Sequence, residues 1–350
     1  MMISERAKAV KETVESSLLM LPGVTGIAVS NPEERIIIYV ESEEYAEAVP
    51  KSLAGVEVEV RVTGRIFALG CLPCSDILSV AEDKGNEVVD RKGVVRPLVG
   101  GISVAGIRCA CSGTLGVVGL ESIEPVGIVP VILSNAHVLA MDPAANFVDE
   151  RVTIIQPGLV DGGTEENRIG ELLGYWPIVF NDPNAENYAD AAIGVLDEGV
   201  EYLEGEILAE DNVSTYKVDL TPEEVSAGDV IRKSGRTTGV TRGTVDSPSA
   251  TVKVAYTPDG SRWAVMKDVI AVKSETSFVL PGDSGSLADK DGRFVGLVFA
   301  GNENGTWGFV CKAKYIYGVP VPIRRAPILG LFSILGIFGL ILLPAIVKRA

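Results

Sequence analysis

Three side-chain types that together can cut an amide bond occur in this chain of 350 residues: a serine between glycines, a single histidine, and an acid that opens an apolar run. The serine is Ser284, in Pro281-Gly282-Asp283-Ser284-Gly285-Ser286. Glycine accepts positive φ and leaves room for an approaching carbonyl, so this setting suits a nucleophile on a tight turn. The backbone N–H groups of Gly282 and Ser284 would then converge as an oxyanion hole. The same composition also suits an ordinary surface turn. The hexapeptide alone does not separate the two, because a serine nucleophile needs a base.

The one histidine is His137, in Leu133-Ser134-Asn135-Ala136-His137-Val138-Leu139, just after an apolar stretch. A lone histidine is commonly a structural residue. Here it is the only imidazole that can serve Ser284. Asp190 lies in Tyr188-Ala189-Asp190-Ala191-Ala192-Ile193-Gly194-Val195 and leads directly into an apolar strand. A carboxylate there is costly unless paired. As a turn residue it would be unremarkable; as the partner of His137 it would be buried and hydrogen-bonded to the imidazole. The order is His137, Asp190, Ser284, with separations of 53 and 94 residues.

In order, spacing and local sequence these segments resemble the trypsin/chymotrypsin-like serine peptidases. The likeness rests on Asn135-Ala136-His137, Asp190-Ala191-Ala192-Ile193 and Gly282-Asp283-Ser284-Gly285, and it spans residues 98–320. The run Lys233-Ser234-Gly235-Arg236-Thr237-Thr238-Gly239 further resembles the bacterial, archaeal and plant narrow-leaf-type members. Those members carry a small N-terminal α/β unit similar to the region around Leu21–Ser30. The resemblance implies a mainly β, two-barrel peptidase domain with the substrate cleft between the barrels. It implies Ser284 as nucleophile, His137 as base, Asp190 as the residue that orients the imidazole, and Gly282 and Ser284 amides as oxyanion donors. It implies no metal and no organic cofactor.

The same resemblance puts the residue six before the nucleophile, Phe278, at the base of the main specificity pocket, with Gly301 on its wall. Phe278 offers nothing to pair a basic side chain, so apolar or small substrate residues are expected. Glu275 would favour basic ones if the loop were shaped to bring it in. A catalytically inactive relative kept as a binding or scaffold module at the membrane is the alternative. The Gly-x-Ser-x-Gly elbow is excluded, since Ser286 stands where its closing glycine is required and the order would be Ser–Asp–His.

The elements that must position these residues are short strands. Ser112–Val118, Val129–Ser134, Arg151–Ile155, Ala191–Val195, Val230–Lys233, Gly243–Val252, Ala264–Val272, Gly285–Ala288, Phe294–Phe299 and Trp307–Cys311 read as strands between Gly, Asp, Asn and Pro. This predicts an all-β unit over 98–322. Residues 1–70 read as a small α/β domain: a helix over Ser4–Met20, strands at Val24–Ser30 and Arg35–Val40, a short helix over Ser42–Val49, and a strand at Val56–Val62 with half-buried alternation. No chemistry is visible in it.

Residues 71–97 read as a linker carrying Cys71-Leu72-Pro73-Cys74. With Cys109 and Cys111 these make two close pairs, open to three readings: reduced structural thiols, a disulfide, or a zinc site whose second pair is tighter than usual. Cys311 reads as buried in a strand. Residues 326–347 carry no charge over 22 residues, enough to span a bilayer as one helix; a buried C-terminal helix is the other reading. The N-terminus offers no apolar signal core, so the peptidase part is expected on the cytoplasmic side of a single-pass anchor, with Arg324 and Arg325 on the inner face.

Composition sets the remaining limits. Hydrophobic residues at 47% and charged residues at 22% describe a folded chain. A net charge of -16 argues against a phosphate backbone as partner, so nucleic acid is not expected. A protein or peptide substrate is expected instead; oligomeric state is not legible.

Overall fold

Strands dominate the described residues of the computed structural model, which are 5–30, 34–70, 88–109, 111–123, 127–148 and 151–317. The predicted span 326–347 and the Cys71 and Cys74 positions lie outside them. Among the described residues no helix is long and apolar enough to cross a membrane.

Two strand rings carry the candidate site. The first runs through Gly113–Leu115, Ile102–Gly106, Thr153–Ile155, Arg168–Tyr175, Ala192–Leu196, Gly127–Ser134 and Val117–Ile123. Its two end strands are one stretch of chain broken only at Gly116, whose N–H donates to the Leu133 carbonyl at 2.9 Å, so the sheet closes on itself. A Cβ on Gly116 would sit 2.6 Å from the Gly285 carbonyl oxygen. Glycine there lets the first ring touch the nucleophile turn backbone to backbone.

The second ring is Val230–Gly235, Leu287–Lys290, Arg293–Gly301, Trp307–Lys312, Trp263–Lys273 and Gly239–Ala255. The pairing of Val230–Gly235 with Gly239–Ala255, Gly235 opposite Gly239, closes it. Arg293–Gly301 is buried along nearly its whole length, as its sequence RFVGLVFAG requires of a strand covered on both faces. Closure removes the exposed strand edges that would otherwise invite association. The mainly β architecture is the one the strand pattern predicts, and its two rings are what the resemblance implies.

The N-terminal unit is built as read, with a helix Glu5–Leu18, strands Val24–Val29, Ile36–Val40 and Val56–Val62, and a short helix Glu43–Ala48. It does not stand apart. Val24–Val29 pairs antiparallel with Gly239–Ala255, so its sheet is continuous with the second ring. Nor is the stretch 88–97 a loose linker, because the Arg91 guanidinium is buried and donates to the Gly101, Leu208 and Ala209 carbonyls and to Ser234 Oγ. Strands at Leu98–Gly100, Ile102–Gly106, Arg168–Tyr175 and Tyr202–Leu208 were not anticipated from sequence.

Candidate active site

His137 sits on a single helical turn, Ala136–Leu139, that follows the strand Gly127–Ser134. Asp190 sits just before the strand Ala192–Leu196, which pairs with Gly127–Ser134. That pairing brings the two side chains together. His137 Nδ1 lies 2.6 Å from Asp190 Oδ2, and the His137 backbone N–H donates to Asp190 Oδ1 at 3.2 Å. Both are buried, and Asp190 is fully so.

A carboxylate without water must have its acceptor sites filled. The Tyr256 hydroxyl donates to Asp190 Oδ2 at 2.9 Å. Asn135 Nδ2 donates to the Asp190 carbonyl at 2.6 Å, and the Asp190 N–H donates to Cys311 Sγ at 3.2 Å. Tyr256 directly follows the second-ring strand Gly239–Ala255 and Cys311 lies in the second-ring strand Trp307–Lys312, so the second ring also holds Asp190. Sequence reasoning missed Tyr256; nothing in its local sequence ties it to an acid. Cys311 is buried in Trp307–Lys312 as read, and burial, with the Asp190 charge, pushes its thiol well above the usual range.

On its other side the imidazole reaches Ser284. His137 Nε2 lies 2.6 Å from Ser284 Oγ. With Nδ1–H given to Asp190, Nε2 is the acceptor and the serine hydroxyl the donor. Burial opposes a charge on His137, but the facing Asp190 carboxylate outweighs it, and the pKa is raised above its ordinary value. The site therefore favours the charged form of the ring.

The turn that carries Ser284 is fixed from below. Gly282 has φ +99°, and a Cβ there would lie 1.9 Å from Arg236 Nη1. Arg236 is itself held by a buried ion pair with Asp161. Asp283 turns away from the cleft and accepts from the N–H groups of Thr237 (2.9 Å), Thr238 (3.1 Å) and Leu280 (2.9 Å) and from Thr238 Oγ1 (2.7 Å). Lys233 Nζ stands 3.2 Å from its Oδ2. Lys233 and Arg236 lie inside a motif legible in the sequence, but their role as supports of the nucleophile turn was not.

The expected oxyanion donor Gly282 already holds a carbonyl. Its N–H donates to the Leu69 oxygen at 3.1 Å. The Leu69 side chain, 1% exposed, joins an apolar cluster with Phe278, Val279, Val272 and Val310. Phe278 is fully buried, and a Cβ on Gly301 would sit 2.5 Å from Val279 Cγ2 and 3.2 Å from Leu69 Cδ2. Gly301 thus packs against Val279 and Leu69, which share their apolar cluster with Phe278. Glu275 is exposed and faces an open groove with Arg61, Arg242 and Lys273. A groove of about 810 Å³ runs between the N-terminal helix and the second ring, away from Ser284.

Cys109 is buried and its Sγ contacts the Met141 carbonyl at 2.5 Å; Cys111 Sγ lies 3.9 Å from the His137 carbonyl. Among the described residues no cluster of three or more His, Cys, Asp or Glu is gathered as a metal site would need. The four-cysteine readings include Cys71 and Cys74, outside those residues.

No family model matches the chain, and no curated protein does. Among solved structures, a glutamic acid-specific serine protease is 18% identical with a TM-score of 0.44, the match covering 62% of this chain and 94% of that one. Thermobifida fusca protease A is 16% identical with a TM-score of 0.42, over 61% of this chain and 90% of its own. An α-lytic protease homologue, N4, is 13% identical with a TM-score of 0.41, over 68% and 97%. The solved structures to which this chain is similar thus include serine proteases of the trypsin/chymotrypsin type, at an identity too low to speak to activity.

Proposed function

We infer that this chain is a serine endopeptidase that hydrolyses peptide bonds through Ser284, His137 and Asp190. One observation carries the reading: His137 bridges Asp190 and Ser284 with contacts of 2.6 Å on each side, in a buried site beside the Gly282 N–H. In this reading Ser284 Oγ attacks a peptide carbonyl while His137 takes its proton. Asp190 stabilises the imidazolium, and the Gly282 and Ser284 amides hold the oxyanion. The apolar cluster around Phe278 and Val279 supports a preference for apolar or small residues before the cut.

The uncharged run 326–347 supports a single C-terminal anchor that keeps the peptidase part at the cytoplasmic face of a membrane. Retention in the membrane pellet after alkaline carbonate, lost when 326–347 is deleted, is the expected result. Release of the full chain would remove the anchor from the reading.

The catalytic test is labelling by a fluorophosphonate, in the full chain and in Leu69→Asp, where an acid in the apolar cluster frees the cleft. Labelling that Ser284→Ala abolishes is expected. No labelling in either background would end the endopeptidase reading.

A further inference from the structure

The residues before Gly70 lie in the candidate cleft as a substrate would. Phe67–Ala68 forms a short strand antiparallel to Arg293–Gly301, with Ala68 opposite Ala300 and Phe67 opposite Gly301. Leu69 then makes three contacts at once. Its N–H donates to the Phe299 carbonyl at 3.2 Å, its own carbonyl accepts from the Gly282 N–H at 3.1 Å, and its side chain fills the apolar cluster. Ser284 Oγ itself lies 3.3 Å from that same Phe299 carbonyl. Gly70 follows on the histidine side, where a Cβ would sit 2.9 Å from His137 Cδ2 and 3.2 Å from Nε2.

Each contact matches a requirement for cutting one particular bond. The strand pairing fixes direction and register, and the Phe299 and Gly282 bonds hold the Leu69 peptide unit on both sides. The amide donor polarises the carbonyl that a nucleophile would attack. The residue after that carbonyl rests against the imidazole, which must return a proton to the departing nitrogen. Other anchors fix the approach: Ala255 N–H donates to the Ile66 carbonyl at 3.0 Å, and Asn302 Nδ2 to the Thr63 carbonyl at 2.7 Å. The segment also accounts for the burial of Ser284, which is fully enclosed.

We propose that the Leu69–Gly70 bond is this enzyme's own first substrate, cut within one chain, and that segment 66–69 covers the cleft against other substrates until it leaves. The proposal rests on the serine endopeptidase reading above and names its substrate class: an extended segment with leucine before the cut and a small residue after it. Ser284 Oγ bonds to the Leu69 carbonyl carbon and gives its proton to His137. The Leu69 C–Gly70 N bond breaks as His137 protonates the nitrogen, which becomes a new N-terminus. Water, deprotonated by His137, then releases Leu69 as a carboxylate and restores Ser284. Because Val24–Val29 is paired into the second ring, the body of the 1–69 piece stays docked after the cut while its new end, 66–69, leaves the cleft.

The test follows the purified full chain by intact mass under denaturing conditions. Wild type should give pieces 1–69 and 70–350 at a rate unchanged on dilution. Ser284→Ala should stay whole, Leu69→Met should still be cut, and Leu69→Asp should lose the cut yet hydrolyse Ile-Phe-Ala-Leu-aminomethylcoumarin in trans. A wild-type chain that stays whole, is cut elsewhere, or is cut equally with Ser284→Ala would overturn the proposal, and so would a rate that rises with concentration. If wild type stays whole while Leu69→Asp hydrolyses the coumarin peptide, only self-cleavage fails. If neither shows any Ser284-dependent turnover, the endopeptidase reading fails with it. Should Leu69→Asp not fold, the comparison of wild type with Ser284→Ala still decides.

Discussion

Lys233 Nζ lies 3.2 Å from Asp283 Oδ2, and neither side chain has any exposed surface. A buried carboxylate next to a nucleophile needs a counter-charge, because removing two ions from water is costly unless their geometry and hydrogen bonds are good. Here an internal lysine supplies that charge from the strand Val230–Gly235. Burial drives the Lys233 pKa down, and the Asp283 charge opposes that.

Replacing Lys233 by Met should therefore leave Asp283 buried and unpaired, at a cost of about 3–5 kcal/mol. Urea unfolding would read it as a lower midpoint with an unchanged slope. Adding Asp283→Asn to Lys233→Met should recover part of the loss. A double variant no more stable than Lys233→Met alone would show that the pair does not act as one unit.

The pH dependence follows from His137. Its folded-state value is raised above the ordinary histidine value of about 6.5, despite burial, by the Asp190 carboxylate. The sign is that of a base gaining a partner: the pair contributes stability below about pH 6.5, lost as pH rises through the folded value. For catalysis the ring must be neutral, so the acid limb of the kcat/KM profile, measured on Ile-Phe-Ala-Leu-aminomethylcoumarin, should have its midpoint above about 6.5. Asp190→Asn should lower kcat by about 10⁴-fold and move that midpoint down. A midpoint unmoved by Asp190→Asn would mean that Asp190 does not set the charge of the ring.

Tyr256 acts through Asp190, which it reaches at 2.9 Å. It is a positioning residue. Tyr256→Phe removes one hydrogen bond to a buried carboxylate, worth about 1.5–3 kcal/mol. The expected result is a kcat lower by about 10-fold or more with KM little changed. A rise in KM at constant kcat would place Tyr256 in substrate binding instead.

How much of this was legible in sequence depends on how local the signal is. Ser284, His137 and Asp190 each carry a short motif, and the structure brings those three together. Strands such as Trp307–Lys312 were legible because their apolar runs are bounded by turn residues. Arg168–Tyr175, with sequence RIGELLGY, was not, because its charges interrupt the alternation. The pairing of Phe67 with Gly301 links distant parts of the chain, and Ile66-Phe67-Ala68-Leu69-Gly70 reads only as an apolar end to the first domain. Local periodicity does not encode such partners. The same holds for Lys233 and Asp283, whose mutual dependence appears only once the second ring has closed.

The nucleophile turn itself can be tested at Gly282. Its φ of +99° is strained for any L side chain, and the space a Cβ needs is taken by Arg236 Nη1 at 1.9 Å and Thr237 Oγ1 at 2.4 Å. Arg236 cannot yield freely, because its buried guanidinium is ion-paired to the Asp161 side chain. Gly282→Ala should therefore tilt the peptide that aims the Gly282 N–H, and loss of one oxyanion donor costs about 10²–10³ in kcat. Circular dichroism would check that the strands persist. Unchanged turnover would mean that this N–H does not face the reacting carbonyl.

Specificity provides the sharpest test of the cleft. The Leu69 side chain lies in one apolar cluster with Phe278, Val279, Val272 and Val310. Glu275, three residues before Phe278, is exposed and shares its groove with Arg61, Arg242 and Lys273, which already supply cations. A substrate arginine in the pocket would be buried without a partner, a penalty of several kcal/mol. Peptides of the form Ile-Phe-Ala-X-aminomethylcoumarin, assayed with Leu69→Asp, should show leucine at X favoured over arginine by at least about 100-fold in kcat/KM. Gly301→Val should lower turnover of the leucine peptide, because its Cβ would crowd Val279 and the Leu69 side-chain position. Efficient cleavage after arginine would mean that Glu275 or another acid reaches the pocket once segment 66–69 has left, and the apolar cluster would then not be the determinant.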